Sequence, residues 1–426
     1  MSSISTEDAV VARLNRDCFC VTLDQSALND ALDREAEDPD FHAELMRTHA
    51  HLFASAPVFL ARHAADEMLR VVHAIEAATR LPGYRETVLS RAPAIAHAHF
   101  GPRGAFMGYD FHLTPAGPRL IEINTNAGGG FLNALLAKAQ HACCAEVADA
   151  LGHPGAVDFE TAVLRMFLRE WALQGRSGAP QRVAIVDDRP EEQYLYPEFV
   201  LAQHFFRKHG IEAVIADAAA LRYDGGRLLA NGKPIDLVYN RLTDFVLEAP
   251  AHDALHAAYL DQAAVVTPSP WAYTLFADKR NLTLLSDPET LRDWGLAAEH
   301  IAALTAVPRT RSVTAEDADR LWSERKKLFF KPAVGYGSKA VYRGDRMTRR
   351  VWSEIAHGRY GDYVAQELVL PSERMVEIDG APEPRKVDVR LYVYDGEILL
   401  TAARLYRGQA TNFRTPGSGF APVFLV

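Results

Sequence analysis

The sequence predicts a mixed α+β and α/β protein: antiparallel sheets with helices, a parallel α/β unit, and a set of N-terminal helices. Three observations carry this. Apolar residues recur at three- and four-residue spacing through most of the first hundred residues, the period of amphipathic helices. Between about 178 and 268, strand-like runs alternate with a helical one across short connections, the pattern of a parallel sheet. Beyond 328, strand-like runs follow one another closely, as antiparallel strands do.

The chain has 426 residues, 48% of them hydrophobic, which supports two or three structural units. The expected divisions are 1–177, 178–268 and 269–426. In the first, HAELMRTHAHLFASAPVFLARHAADEMLRVVHAIEAATR reads as helix, with Asp38 or Asp40 as a cap. His42, His49, His51, His63 and His73 lie among Ala and Leu with no carboxylate at fixed spacing. They read as solvated or core histidines, because a metal site needs several convergent ligands. From Gly108, the segments GYDFHL, TPAG and PRLIEINTN read as strand, turn, strand. Gly128 to Gly130 precede an expected helix, FLNALLAKAQHACCAEVADAL, and another helix is expected over 159–173.

The break GRSGAP opens the second unit. RVAIVDD, PEFVLAQHFFRKHG and IEAVIAD read as strand, helix, strand; LRYDGGRLLANG reads as a hairpin and IDLVYNRL as a further strand. No GxGxxG follows the first strand, so a Rossmann dinucleotide site is not expected. The third unit has helices expected near 271–285 and 314–326. Strands follow at LFFKPA, KAVYRG, YVAQELV, KVDVRLYVYDG and EILLTAARLY.

A formal net charge of −9 argues against general binding of nucleic acid or an anionic membrane. Cys18, Cys20, Cys143 and Cys144 have the spacing of neither a zinc site nor a disulfide framework. Free thiols fit a reducing compartment. The opening residues lack the apolar run of a signal peptide, and nothing approaches the ~18 apolar residues of a membrane span. A cytoplasmic protein is the expectation.

Four segments can carry chemistry. In FFKPAVGYGSKAVYRG, a buried strand ends at Lys331 and a loop follows with Gly335 and Gly337. Small residues let backbone N–H groups approach phosphate oxygens while a lysine supplies charge; a plain glycine hairpin is the competing reading. In YVAQELVLPSER, Gln366, Glu367, Leu368 and Val369 offer an edge backbone to adenine, and Glu373 offers a carboxylate to ribose hydroxyls. A plain strand end with a surface acid is the alternative. In VDVRLYVYDGEI, Asp388 and Arg390 share one face of a strand. Either they pair with each other or Arg390 holds a phosphate. In YDFHLTPAGPRLIEINTN, Asp110, Glu122 and Asn124 are oxygen donors on adjacent strands, with Glu122 and Asn124 on one face. Hard oxygen donors beside a nucleotide suit Mg²⁺.

Together these segments resemble the ATP-grasp superfamily. Lys279 in FADKRNL and Lys331 in FFKPAVGYGSKAV look like its two nucleotide lysines, and AQEL looks like its adenine hinge. DVRLYVYDGEI, followed by ARL and NFRTPGSG, is similar to its Asp-x-Arg strand and the segment after it. GYDFHLTPAGPRLIEINTNAGG is similar to its magnesium strand pair. The Glu-x-Asn strand, which usually comes last, here precedes the lysines. That order resembles a circular permutation, as in eukaryotic-type glutathione synthetase. One departure stands out: AVGYGSK contains no glutamate where that enzyme carries one. A third acid is then needed, and Asp110 is the candidate.

The resemblance implies an ATP- and Mg²⁺-dependent ligase that joins a carboxylate to an amine through an acyl-phosphate. Asp110, Glu122 and Asn124 would hold the metal. Lys279, Lys331 and Arg390 would stabilise the transferring phosphoryl group, and Arg404 and Asn412 would hold the acyl-phosphate or the acceptor carboxylate. In the middle unit, Asn240 and Arg241 end a strand where ligands bind in open α/β sheets. Arg241 is there a candidate for a substrate carboxylate, an ion pair with Asp244 being the alternative. The expected partners are small-molecule acids and amines, with no nucleic acid and no membrane; a homodimer is compatible with the sequence. Two other readings stand beside the ligase: an ATP-binding phosphotransferase or regulator without ligase activity, and a carbohydrate- or peptide-binding module.

Overall fold

A computed structural model describes residues 6–20, 22–141, 158–335, 340–409 and 411–426. Its centre is a seven-stranded, mostly antiparallel sheet. The strands run, in spatial order, Val58–Leu60, Gly419–Leu425, Glu397–Tyr406, Ala381–Tyr394, Met107–Thr114 and Gly117–Asn124; Ser372–Ile378 pairs beside Ala381–Tyr394. Strands from both ends of the chain therefore share one sheet. Val58–Leu60 is parallel to Gly419–Leu425, and the other pairs are antiparallel.

The helix Arg62–Thr79 covers one face. Met68, Val71, Val72 and Ile75 pack with Tyr109, Phe111, Val389 and Leu391 from the strands. This is the apolar stripe of an amphipathic helix laid on the inward face of a sheet. The continuous helix read from HAELMRT to EAATR is interrupted. Phe41–Thr48 and Arg62–Thr79 are helices, but the residues between them include the buried strand Val58–Leu60. Its residues are all apolar, so nothing in periodicity separates them from the flanking helical pattern. Asp40 sits at the start of Phe41–Thr48 but makes no side-chain capping bond; Asp38 instead accepts from the Asp40 N–H.

The middle segment forms a four-stranded parallel sheet in the order Val265–Thr267, Leu237–Asn240, Arg182–Asp187, Glu212–Asp217. The hairpin expected in LRYDGGRLLANG is present. A second small sheet combines Thr310–Ser312, Tyr363–Glu367, Leu328–Pro332 and Tyr342–Arg343. The helix at 159–173 is Phe159–Leu173, whereas the segments at 271–285 and 314–326 hold shorter helices, Pro270–Phe276, Asn281–Leu285 and Ala318–Glu324. Of FLNALLAKAQHACCAEVADAL, Gly130–Lys138 is helical. From residue 142 on, that segment, with Cys143 and Cys144, lies outside the described residues. One hydrophobic core joins Leu28 and Phe131 of the N-terminal segment, Val183 and Tyr239 of the parallel sheet, and Tyr392 and Phe420 of the large sheet. No helix among the described residues is long and apolar enough to cross a membrane.

Candidate active site

Register builds the site. Arg390 stands opposite Asp110, and Asp110 opposite Glu122, on three adjacent strands; Asp388 stands opposite Arg404 on the next pair. Side chains alternate across a strand, so these groups and Asn124 converge on one face. Arg390 donates through Nε to Asp110 Oδ1 at 2.6 Å and through Nη2 to Oδ2 at 2.8 Å. Arg404 donates through Nη2 to Asp110 Oδ2 at 2.7 Å and through Nε to Asp388 Oδ1 at 2.6 Å. Thr411 Oγ1 donates to Asp388 Oδ2 at 2.6 Å. Asp388 thus pairs across strands with Arg404, and Arg390 takes Asp110. Burial works to raise the Asp110 carboxyl, but the charges of Arg390 and Arg404 overcome it and hold the group well below the usual carboxylate range.

Both lysines enter from outside this sheet. The pairing of the Asp110 and Glu122 strands slips by one residue after Asp110, leaving Ile121 in a bulge. The Ile121 carbonyl accepts from Lys331 Nζ at 2.8 Å, and Gln366 Oε1 accepts from the same nitrogen at 2.8 Å. Lys279 Nζ donates to the Gly335 carbonyl at 2.8 Å and lies 3.0 Å from Glu122 Oε1. The lysines therefore lie on the same side of one cleft. Burial lowers the Lys331 ammonium to about 8, with Glu122 opposing that shift and Lys279 adding to it. Glu122 is held low because Lys279 and Lys331 outweigh its own burial.

The cleft lies between the large sheet and the small one. It is lined by Asp110, Glu122, Lys279, Lys331, Gly335, Gln366 to Pro371, Asp388 and Arg404, among others. Of the three hinge amides, Glu367 N–H donates to Arg309 O and Leu368 N–H to Lys327 O. Val369 lines the cleft between Leu368 and Leu370. Glu373 is exposed, two residues beyond Pro371 and opposite Lys386, which lines the cleft. Gly337 lies outside the described residues. Sequence reasoning missed His112, which lines the cleft two residues from Asp110. Its Nδ1 lies 2.9 Å from the Val369 carbonyl, bridging the large sheet to the hinge. Nothing local in the sequence points to it, because its partner is 257 residues away.

A second compartment opens on the other side of Glu122 and Arg404. Asn124, Gly128, Tyr194, Leu195, Arg390, Asn412, Phe413 and Phe420 line it. Asn412 donates through Nδ2 to the Arg407 carbonyl at 2.9 Å. Beneath it, Asn240 is committed to the backbone, donating to Pro268 O and accepting from Leu242 N–H. Arg241 does not pair with Asp244, which accepts from His252 Nδ1 at 2.8 Å. Instead the Arg241 guanidinium lies over the rings of Tyr239 and Phe199 and donates to Tyr239 OH, and among the described residues its Nε is unsatisfied. Its Nη2 is 3.1 Å from the Cβ position that Gly128 lacks. A buried cation with no carboxylate in ion-pair contact among the described residues suits an anion delivered from this compartment.

The donor set bears on the expected metal. Both Asp110 oxygens are engaged by arginines, which leaves Glu122 and Asn124 as the oxygen donors facing the cleft. Asn124 donates its Nδ2 to Asp110 at 3.3 Å, so its Oδ1 remains an acceptor. Among the described residues, no three His, Cys, Asp or Glu side chains gather into a metal-holding group. Two side-chain oxygens fit a Mg²⁺ ion shared with nucleotide phosphates and water, a common arrangement for this ion, and do not form a closed protein cage.

No family model matches the sequence, and no curated protein matches it. Among solved structures, the chain is similar to the apo form of a glutathione synthetase-like effector from Globodera pallida. The TM-score is 0.56 at 12% identity, over 95% of this chain and 99% of that one. A putative gamma-glutamylcysteine synthetase from Methylobacillus flagellatus aligns at TM-score 0.46 and 14% identity, over 83% and 86%. The first likeness shows the fold. The chain has an ATP-grasp-type fold.

Proposed function

We propose that the protein is an ATP-dependent ligase joining a small carboxylic acid to an amine. One observation carries this reading. Lys279, Lys331, Glu122 and Arg404, from segments far apart in the chain, line one cleft with the Gln366 to Val369 hinge, and Arg390 and Asn124 line the compartment that meets it at Glu122 and Arg404.

In this reading a carboxylate oxygen attacks the γ-phosphorus of ATP, the bond to the β–γ bridging oxygen breaks, and ADP departs. The amine nitrogen then attacks the acyl carbon, phosphate leaves with the bonding pair, and the nitrogen gives up a proton. Lys331 and Lys279 neutralise the phosphate oxygens, and Arg390 and Arg404 face the developing charge from a rigid sheet. Mg²⁺, when bound, supplies further charge neutralisation at the phosphates. Asp110 orients the two arginines. Arg241 holds a substrate carboxylate.

A specific observation keeps a second reading open: the loop AVGYGSK has no acid and Asp110 is committed to arginines. A regulatory ATP-binding protein without ligase turnover would tolerate both. Incubation with ATP, Mg²⁺ and pooled amino acids and dipeptides distinguishes the two. The ligase reading expects ADP and phosphate to form in equal amounts with a new amide. ATP binding without ADP formation would favour the regulator.

A further inference from the structure

From the walls of the second compartment we infer that the acid used by this protein carries an aromatic or bulky alkyl group. The inference rests on the ligase reading above. The compartment is open and meets the nucleotide cleft at Glu122, Arg404 and Thr411. The reacting carboxylate belongs at that junction, next to the phosphates. The body of the acid then extends toward Tyr194, Leu195, Phe413 and Phe420.

That wall is apolar and braced. Phe413 packs edge-on against Phe420, with ring centroids 4.8 Å apart. Gly129, at φ +90°, leaves room for the Phe420 ring, because a Cβ there would sit 2.4 Å from Phe420 Cζ. Tyr194 is held by the His49 ring at 4.5 Å and by a bond from His49 Nε2 to its carbonyl. Even so, Tyr194 keeps 49% of its surface exposed. An exposed aromatic beside an open compartment is apolar surface that a ligand can cover.

Of the polar groups around this compartment, Arg390 is engaged with Asp110, Asn412 donates to the Arg407 carbonyl, Arg414 is exposed at the rim, and Arg241 behind Gly128 is left to the carboxylate of the amine substrate. Arg404 serves Asp110 and Asp388, and Thr411 serves Asp388. A polar side group on the acid would lose its water against this wall without compensation. An aryl or branched alkyl group loses nothing and gains area.

The test uses the full-length protein loaded with a non-hydrolysable ATP analogue and Mg²⁺. Phenylalanine, leucine, glycine, alanine and aspartate are titrated singly, and nucleotide affinity is measured in parallel. Phenylalanine and leucine should bind at least tenfold more tightly than glycine, alanine or aspartate. Tyr194→Ala and Phe413→Ala should erase that preference while nucleotide affinity stays within twofold. Tighter binding of the small or acidic probes would overturn the inference while leaving the ligase reading intact. So would a preference unchanged in both variants, or no binding by either apolar probe to the nucleotide-loaded protein. Failure to bind nucleotide at all would instead remove the ligase reading beneath it.

Discussion

Asp110 shows how a single residue's neighbours decide its role. Read along the strand, it is a free acid beside two other oxygen donors; in the folded protein it lies under the guanidinium groups of Arg390 and Arg404. Those charges are buried, so removing their partner leaves them uncompensated. Asp110→Ala should destabilise the protein by about 3–5 kcal/mol, read as a lowered denaturation midpoint at constant m-value. Lys331 gives a pH signature. Its ammonium titrates near 8 in the fold, against a reference value of 10.5, so the unfolded chain binds more protons across that window. Stability must then rise with pH between the two values. Relative to Lys331→Met, the wild type should gain on the order of 3 kcal/mol between pH 7 and pH 11, measured by denaturant titration at each pH. Neither property is visible in the motifs. A motif supplies the residue type, while burial and cross-strand partners set its charge.

At the scale of elements, polar residues at every second position made the Glu122 and Arg390 strands legible, although the second is buried on both faces from Val387 to Tyr394. The three-residue strands Val58–Leu60, Val265–Thr267 and Thr310–Ser312 escaped detection, being too short to establish a period. The bulge at Ile121 was equally hidden, yet it turns a carbonyl toward Lys331. His112 links the Asp110 strand to the hinge through the Val369 carbonyl. His112→Ala should leave the sheet intact and weaken nucleotide binding by up to about tenfold, the cost of losing one hydrogen bond that positions the hinge. Equilibrium titration with an ATP analogue checks it, and unchanged far-ultraviolet circular dichroism shows that the sheet persists.

Across the whole molecule, chain order and spatial order part company. The acids at 110 and 122 come long before Lys279, Lys331 and Arg390, yet the Arg390 strand pairs directly with the Asp110 strand. A sheet depends on which strands adjoin and not on the sequence in which the ribosome makes them. The motif order led to the expectation that the Glu122 and Arg390 strands share one sheet, and they do. The N-terminal helices, read as flanking this sheet, do pack on it and add Val58–Leu60 to its edge. The polar side of the second compartment was legible in Glu122, Asn124, Arg390, Arg404 and Asn412. Tyr194, Leu195, Phe413 and Phe420 come from three separate segments, and their convergence has no local signature.

The central claim is that Glu122 and Lys331, 209 positions apart in the numbering, serve one nucleotide and its metal. Calorimetric titration with a non-hydrolysable ATP analogue, with and without Mg²⁺, tests it most directly in wild type, Glu122→Gln and Lys331→Met. The account predicts that Mg²⁺ tightens wild-type binding, that Glu122→Gln keeps metal-free binding but loses the Mg²⁺ enhancement, and that Lys331→Met loses affinity under both conditions. Full Mg²⁺ enhancement in Glu122→Gln, or wild-type affinity in Lys331→Met, would contradict it.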